Sequence, residues 1–392
     1  MDISVFLDPV PEMCFAQTLR PGKKPYIETL TIFRNEEEFP NLDGVQLALV
    51  GVKDERAVVD NRGCSDGADY IRKAFYSLFD HHEEMRIIDL GNVKTGKDVN
   101  DTYFALNQVL TELFKYHIVP IIIGGGHDML FPMYQVYEPV GKLINITTVD
   151  CMFDIGTDNE PLNSRSYLSY IVMHQPNYLF NYTTIGYQSY YVSASNVDLM
   201  KQLYFEAYRL GSVKNIDLTE PLIRNANLMT FDIASVRAAD APGVKNASIN
   251  GFSGEDACRM ARYAGMNFKL SSLGIFEYNP HYDINSRTAF LIAEMIWYFI
   301  EGFSLRQNDI PKESIMNDFT RYLVQIDDWE DSLVFLCHKY TGKWWMDLVI
   351  KDKEFPKLPP RHYYIPCSKE DYDMTMHKEL PDKWWQFYQK LM

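Results

Sequence analysis

Short apolar runs alternate with longer amphipathic segments from about residue 47 to residue 303. The short runs have the length and composition of buried strands, and the longer segments repeat their apolar residues at helical spacing. The pattern predicts strands at LALVGV, MRIIDLG, IVPIIIGGG, 143–149, 182–185, 227–231 and 270–276. It predicts helices over 66–80, 100–116, 196–209, 254–265 and 286–303. This alternation is typical of βα units and predicts a three-layer α/β/α sandwich around a mostly parallel, doubly wound sheet.

The same alternation divides the chain into three parts. Residues 1–45 are rich in proline and predict an irregular N-terminal extension. Residues 46–303 form the predicted α/β domain. Residues 304–392 contain five of the six tryptophans, and the βα alternation stops there. We interpret this last part as an aromatic-rich C-terminal appendage packed on the core, with a surface for carbohydrate or a partner protein as the alternative.

The composition is that of a folded acidic protein. The 392 residues carry 38 Lys and Arg against 53 Asp and Glu, a formal net charge of -15. This charge disfavours nucleic-acid binding, which needs a basic face. No apolar run reaches the roughly 20 residues of a membrane-spanning helix, and the N-terminus lacks the pattern of a secretory signal. Six scattered cysteines without a CxxC pair are typical of a reducing compartment. We therefore expect a cytoplasmic protein that binds neither nucleic acid nor membranes.

Polar residues follow several predicted strands, at the edge where parallel sheets bind ligands. His127 follows the glycines of IIIGGGHD, Asp150 and Asp154 end TTVDCMFD, and Asp232 ends the strand in LMTFDIAS. If the chain stays extended after Asp150, the side chains of residues 150, 152 and 154 project to one face. One imidazole and three carboxylates on neighbouring strand ends predict a site for Mn²⁺ or Mg²⁺.

Each of these residues also has a structural interpretation. An acidic residue at a strand end often serves as a helix N-cap or a turn residue. A single histidine is more often a hydrogen-bonded core residue than a ligand. The three glycines form neither a dinucleotide-binding fingerprint nor a phosphate-binding loop. Spacing alone therefore leaves both interpretations open.

Four segments resemble, in order, the signature segments of the ureohydrolase superfamily, which includes arginase, agmatinase and formimidoylglutamase. They are GGGHD, VDCMFD, TFDIASVRAADAPG and FEYNPHYDINSRTAFLIAEMIW. The resemblance covers about residues 45–303, and the helix start NPHYDINSRTA is most similar to the formimidoylglutamase branch. It implies an α/β/α sandwich that hydrolyses guanidino or amidino groups with two Mn²⁺ ions. It also implies a homo-oligomer, because family members are commonly oligomeric.

The resemblance also distinguishes the two metal sites. It assigns the first metal to His127, Asp150, Asp154 and Asp232. The second metal of the family shares the carboxylates matching Asp150 and Asp232 and adds a histidine and an aspartate. Those two positions are Met152 and Ala234 here. Methionine offers a soft sulfur that Mn²⁺ binds poorly, and alanine offers no ligand. We therefore expect at most one Mn²⁺ ion.

Three further residues bear on charge and substrate. Arg237 stands where the family carries an aspartate. We hypothesise that its guanidinium pairs with Asp150 or Asp232 and partly replaces the lost cation, with a solvent-facing arginine as the alternative. Glu277 matches the carboxylate that orients the amidine or guanidinium of the substrate, so the resemblance gives catalytic roles to Glu277 and Asp150. Arg165 is a candidate for binding a substrate carboxylate, with an ordinary surface arginine as the alternative.

Two functions are consistent with the sequence. The loss of two metal ligands, and of the arginase-like histidine from the loop 156–170, favours a pseudoenzyme that keeps the fold and at most one metal. The alternative is a formimidoylglutamase-like, mononuclear-metal hydrolase of a C–N bond in a linear amidine or guanidine. The hydrolase needs an open cavity above the predicted ligands. The pseudoenzyme is compatible with a cavity filled by Met152 and its apolar neighbours.

Overall fold

A ten-stranded sheet with helices on both faces forms the larger unit of the computed structural model, which describes residues 2–16, 24–157, 159–326, 332–350 and 361–391. Its strands are β1 (Leu7–Asp8), β2 (Thr31–Ile32), β3 (Leu47–Val52), β4 (Ile87–Val93), β5 (Val119–Ile123), β6 (Ile144–Val149), β7 (Leu179–Tyr187), β8 (Glu206–Arg209), β9 (Leu228–Asp232) and β10 (Ser272–Phe276).

The strand order brings the predicted site together. Across the sheet the order is β1-β4-β3-β5-β10-β9-β6-β7-β8, and β2 pairs with β4 outside this path. The pairs are parallel apart from β1 with β4. Strands β5, β10, β9 and β6 therefore lie side by side, and their carboxyl ends form one continuous stretch of the sheet edge.

Helices cover both faces of this sheet. The helices of the described residues are α1 (Tyr26–Thr29), α2 (Gly67–Phe75), α3 (Val99–Lys115), α4 (Leu130–Gln135), α5 (Tyr167–Met173), α6 (Ala194–Gln202), α7 (Glu220–Arg224), α8 (Gly254–Met266), α9 (Arg287–Ser304), α10 (Lys369–Met376) and α11 (Asp382–Leu391). Alternate residues of β3 point to opposite cores: Leu49 packs with α2, α8 and α9, and Val50 packs with α3, α4 and α5. The predicted three-layer α/β/α sandwich is confirmed.

The predicted helix over 196–209 is wrong in its second half. Helix α6 ends at Gln202, and Glu206–Arg209 forms the edge strand β8 beside β7. The Glu206 carboxylate is buried there and accepts hydrogen bonds from the Asn181 and Thr183 side chains. A buried charged residue satisfied by side chains on the neighbouring strand leaves no signal in the local apolar pattern.

A four-stranded antiparallel sheet follows the α/β domain. Its strands are β11 (Phe319–Val324), β12 (Leu333–His338), β13 (Trp344–Ile350) and β14 (Arg361–Cys367), and they lie in this order. The Arg224 guanidinium donates hydrogen bonds to the carbonyl oxygens of Trp344 and Cys367, at 3.1 Å each, and lies 4.6 Å from the Trp345 ring centroid. Arg224 precedes β9, so this sheet packs near the amino ends of the large sheet's strands.

The aromatic residues of the C-terminal part differ in exposure. Trp345 and Trp384 are buried, whereas Trp385 is half exposed. Trp329, which also belongs to the predicted aromatic-rich appendage, lies outside the described residues. In the described part of the chain, no helix has the length and apolar character needed to cross a membrane.

Candidate metal centre

A glycine turn places His127 at the carboxyl end of β5. Gly124 and Gly125 have φ angles of +81° and +74°, which side chains rarely adopt. A Cβ on Gly124 would also lie 2.8 Å from the backbone nitrogen of Ala68. The turn is therefore possible only because glycine leaves this space free, and it directs His127 towards β9 and β6.

Four side chains converge at this edge, as the sequence predicted. His127 Nδ1 lies 3.2 Å from Asp150 Oδ2, 3.8 Å from Asp154 Oδ2 and 3.8 Å from Asp232 Oδ2. Ligand atoms of His127, Asp150 and Asp232 all lie within 4.8 Å of one another. The structure thus brings together the four residues proposed for the first metal.

Three of the converging atoms are buried without a hydrogen-bond partner among the described residues. They are His127 Nδ1, Asp150 Oδ2 and Asp154 Oδ2. Buried polar atoms are normally paired, and buried like charges repel each other unless a cation or a proton lies between them. The donor set of one imidazole nitrogen and carboxylate oxygens fits a divalent ion such as Mn²⁺.

Asp154 reaches the cluster through a turn rather than through the extended chain that the sequence suggested. Strand β6 ends at Val149, and Asp154 has a φ of +51°. Its carbonyl oxygen accepts a hydrogen bond from the Leu168 amide at 3.2 Å, which holds the turn against the start of α5. The extended chain on which the shared face of residues 150, 152 and 154 depended is therefore absent, although both carboxylates face His127.

The second oxygens of the two shared carboxylates are bound to backbone amides. Asp150 Oδ1 accepts a hydrogen bond from the Met152 amide at 2.8 Å, and Asp232 Oδ1 accepts one from the Ala234 amide at 2.7 Å. Met152 and Ala234 thus contact these carboxylates through their backbones. Neither side chain offers a nitrogen or oxygen ligand for a second Mn²⁺.

Electrostatics in the cluster favour protons or a cation. Burial raises the pKa of Asp154 well above its ordinary value, and the charge of Asp150 raises it further. The pKa of Asp232 is raised for the same two reasons. Burial lowers the pKa of His127, but the interactions with Asp150 and Asp232 outweigh burial and raise it to about 10. A divalent ion can replace the protons held in this way.

Glu277 is held in place by the residues around it. It follows β10 with a φ of +66°. Its Oε1 accepts a hydrogen bond from the His127 amide at 3.1 Å, and its Oε2 accepts one from Asn61 Nδ2 at 2.8 Å. Burial, followed by the charge of Asp232, raises the pKa of Glu277 to about 8. The sequence did not identify Asn61, which lies in the loop between β3 and α2.

A cavity of about 320 Å³ lies beside the cluster. Its walls include Asp154, Asp232, Glu277, Met152 and Ala234. The apolar side chains therefore line the cavity without filling it, and the open space that the hydrolase alternative requires is present.

Two cationic side chains also line this cavity. Arg165, the predicted substrate-binding residue, lies with Nη1 3.9 Å from Asp60 Oδ2. Lys245 Nζ lies 4.0 Å from Asp60 Oδ1. Lys245 was not identified from the sequence, because only the folded loop after β9 brings it to the cavity.

Arg237 does not make the hypothesised contact. Its Nε donates a hydrogen bond to Asp240 Oδ2 at 2.9 Å, and its side chain is 47% exposed. Among the described residues, the guanidinium pairs with neither Asp150 nor Asp232. The interpretation as a cation substitute is therefore wrong in this structure, and the solvent-facing alternative applies, because Asp240 lies three residues away and competes locally.

The arginase family matches residues 45–301, and the chain belongs to this family. Within the family, the resemblance to the formimidoylglutamase branch is also confirmed. The formimidoylglutamase of Staphylococcus haemolyticus is 28% identical over 285 residues, which cover 68% of this chain and 90% of that protein.

Solved structures of low identity share the fold. Trypanosoma cruzi formiminoglutamase with Mn²⁺ has a TM-score of 0.65 at 17% identity, covering 73% of this chain and 100% of that one. Bacillus subtilis formimidoylglutamase has a TM-score of 0.66 at 14% identity, covering 74% of this chain and 95% of that one. The family match ends at residue 301, so the antiparallel C-terminal sheet lies beyond it.

Proposed function

We propose that this chain is an arginase-family protein with a single-metal centre that has lost the two-metal hydrolysis of its family. One Mn²⁺ binds through His127, Asp150, Asp154 and Asp232. The observation that carries this proposal is the set of buried atoms without partners, His127 Nδ1, Asp150 Oδ2 and Asp154 Oδ2, which face one another. Ligands specific to a second ion are missing at positions 152 and 234.

The choice of manganese rests on donor chemistry and on the fold neighbours. Three carboxylates and one imidazole form a hard donor set. The T. cruzi formiminoglutamase of the same fold is described with Mn²⁺. In this chain, Thr230 and Glu277 hold the ring and the backbone amide of His127, respectively, so the ligand is supported from two sides.

Elemental analysis tests the proposal. Protein loaded with Mn²⁺ and desalted is expected to retain about one equivalent per chain, because one set of ligands is complete. Asp150→Asn is expected to lose it. Asp309→Asn serves as the matched control, because Asp309 is equally buried but pairs with Lys343 in the C-terminal part. No metal in the wild type, or equal metal in Asp150→Asn, contradicts the proposal.

The cavity favours a second candidate, a mononuclear hydrolase of a linear amidine or guanidine. Glu277 lines the cavity, and its carboxylate is oriented by Asn61 and the His127 amide to bind a cationic amidine. A bound Mn²⁺ acts as a Lewis acid and lowers the pKa of water. Arg165 lies on the cavity wall, which supports a role for its guanidinium in binding an anionic group of the same substrate.

An activity screen separates the two candidates. If the hydrolase proposal holds, ammonia, urea or formamide is released from a panel of linear amidines and guanidines by Mn²⁺-loaded protein. Asp232→Ala abolishes the release, and Asp309→Asn keeps it. If the wild type retains one Mn²⁺ and releases none of these products, the hydrolase proposal is wrong and the pseudoenzyme stands.

A further inference from the structure

We propose that Thr230 is the positioning residue that makes His127 a metal ligand. Its hydroxyl binds the proton on Nε2 and thereby leaves the lone pair of Nδ1 for the ion. The inference rests on the single-metal centre proposed above. It gives a role to Thr230, which opens the segment TFDIASVRAADAPG but to which the sequence assigned no function.

The hydrogen bond between His127 Nε2 and Thr230 Oγ1 measures 2.8 Å, and both residues are fully buried. Thr230 lies on β9 two residues before Asp232, so the two side chains share a face of the strand. Strand β9 therefore supplies the Asp232 carboxylate to the cluster, and its Thr230 hydroxyl contacts the Nε2 side of the His127 ring.

A neutral imidazole carries its proton on only one nitrogen, and that choice decides which nitrogen can bind a metal. An acceptor at Nε2 keeps the remaining proton on the far nitrogen once the ion takes Nδ1. Among the described residues, Thr230 Oγ1 is the hydrogen-bond partner of Nε2.

Aromatic rings pack around the His127 imidazole and restrict its rotation towards another hydrogen-bond partner. The Tyr167 ring lies 4.6 Å from the His127 ring and the Phe276 ring lies 5.6 Å away, between centroids. The Tyr167 hydroxyl interacts with Tyr182 at 3.4 Å. The apolar packing fixes the plane of the imidazole, and the Thr230 hydroxyl fixes its proton.

Mn²⁺ affinity, measured by the electron paramagnetic resonance signal of the free ion, tests this role. Thr230→Val keeps the shape of the side chain but removes the hydroxyl, and is expected to weaken Mn²⁺ binding about 10- to 100-fold. Thr230→Ser restores the hydroxyl and is expected to restore affinity to within a few-fold of wild type.

Thr148→Val is the matched control. Thr148 is the register partner of Thr230 on β6, is equally buried, and donates its hydrogen bond to the Tyr182 hydroxyl at 3.2 Å. Thr148→Val also removes a buried hydroxyl, but it is expected to leave Mn²⁺ affinity unchanged. If Thr230→Val binds as tightly as wild type, or if Thr148→Val weakens binding equally, the role of Thr230 is wrong.

A measurement on the wild type does not depend on whether a variant folds. In protein labelled with ¹⁵N-histidine and loaded with ¹¹³Cd²⁺ as a diamagnetic probe, His127 is expected to couple to the metal through Nδ1 and to carry its proton on Nε2. Coupling of the metal to Nε2 would overturn the role of Thr230 and leave the proposed single-metal centre intact. Wild-type protein that binds neither Mn²⁺ nor Cd²⁺ overturns the proposed single-metal centre as well.

Discussion

Asp150 and Asp232 each have one carboxylate oxygen near His127 Nδ1 and one that accepts a hydrogen bond from a backbone amide. In Asp150 and Asp232 alike, that amide belongs to the residue two positions later. The prediction that the second metal's own ligands are missing needs only the sequence, because the chemistry of Met152 and Ala234 decides how well their side chains can bind Mn²⁺. The sequence could not predict Thr230 or Asn61, because their roles depend on which strands and loops become neighbours.

At the residue scale, the pKa shifts predict that Mn²⁺ stabilises the protein more at pH 8 than at pH 6. The ligand carboxyls of Asp154 and Asp232 have raised folded-state pKa values, so they cost stability as the pH rises above the ordinary carboxyl pKa. The raised pKa of His127, about 10, contributes stability that is complete below pH 6.5 and is lost towards pH 10. Both effects weaken the metal-free protein as pH rises, and Mn²⁺ replaces the protons.

Urea unfolding with and without Mn²⁺ at the two pH values measures this difference. The free energy of unfolding should gain more from Mn²⁺ at pH 8, and Asp150→Asn should gain little at either pH. An equal or smaller gain at pH 8 in the wild type is incompatible with proton replacement at this cluster.

The turn after β5 is the element on which the position of His127 depends. Gly124→Ala is expected to lower the free energy of unfolding by more than the roughly 1–2 kcal/mol cost of a left-handed residue, because the new Cβ lies 2.8 Å from the Ala68 nitrogen and 3.0 Å from the Val52 oxygen. Mn²⁺ affinity should fall too, since His127 must shift.

Gly141→Ala is the control for backbone strain alone. Gly141 has a φ of +65°, but a Cβ there meets no atom within 4 Å. Urea unfolding measures the free energy of unfolding of Gly124→Ala and Gly141→Ala, and titration measures their Mn²⁺ affinity. If Gly124→Ala costs no more stability than Gly141→Ala, the close packing of this turn does not position the ligand.

At the scale of secondary-structure elements, a strand can be predicted from the sequence when it is buried along its whole length. Inner strands such as β3, β5 and β10 are buried along their whole length, so their apolar runs identify them from the sequence. Edge strand β8 has no such run, because Glu206 is buried and satisfied by polar partners. The carboxyl-edge position of the site was predictable from the order of strands and polar residues, whereas the turn at Asp154 was not.

At the scale of the whole molecule, the cluster of His127, Asp150, Asp154 and Asp232 and the C-terminal sheet lie at opposite ends of the large sheet's strands. The cluster lies at the carboxyl ends, and Arg224 binds the C-terminal sheet near the amino ends. The tryptophan content of residues 304–392 indicated an aromatic appendage, but it could not reveal four antiparallel strands, whose pairing depends on contacts between segments. We therefore expect the two regions to be energetically separable.

Arg224→Met tests this separation. The substitution keeps an apolar side chain but leaves the carbonyl oxygens of Trp344 and Cys367 without their donor, at a cost of about 1–3 kcal/mol in the free energy of unfolding. Tryptophan fluorescence should shift, since Arg224 lies over Trp345. Mn²⁺ affinity should match that of the wild type and of the exposed control Arg209→Met. A loss of Mn²⁺ affinity in Arg224→Met alone would show that the regions are coupled.

The number of Mn²⁺ ions per chain tests the single-metal centre most directly when wild type is compared with Met152→His/Ala234→Asp. The double substitution introduces the two ligand types that the family carries at these positions, beside carboxylates that are already in place. We predict about one equivalent in the wild type and about two in the double variant, with a spin-coupled electron paramagnetic resonance signal only in the latter. Two equivalents in the wild type would contradict the account.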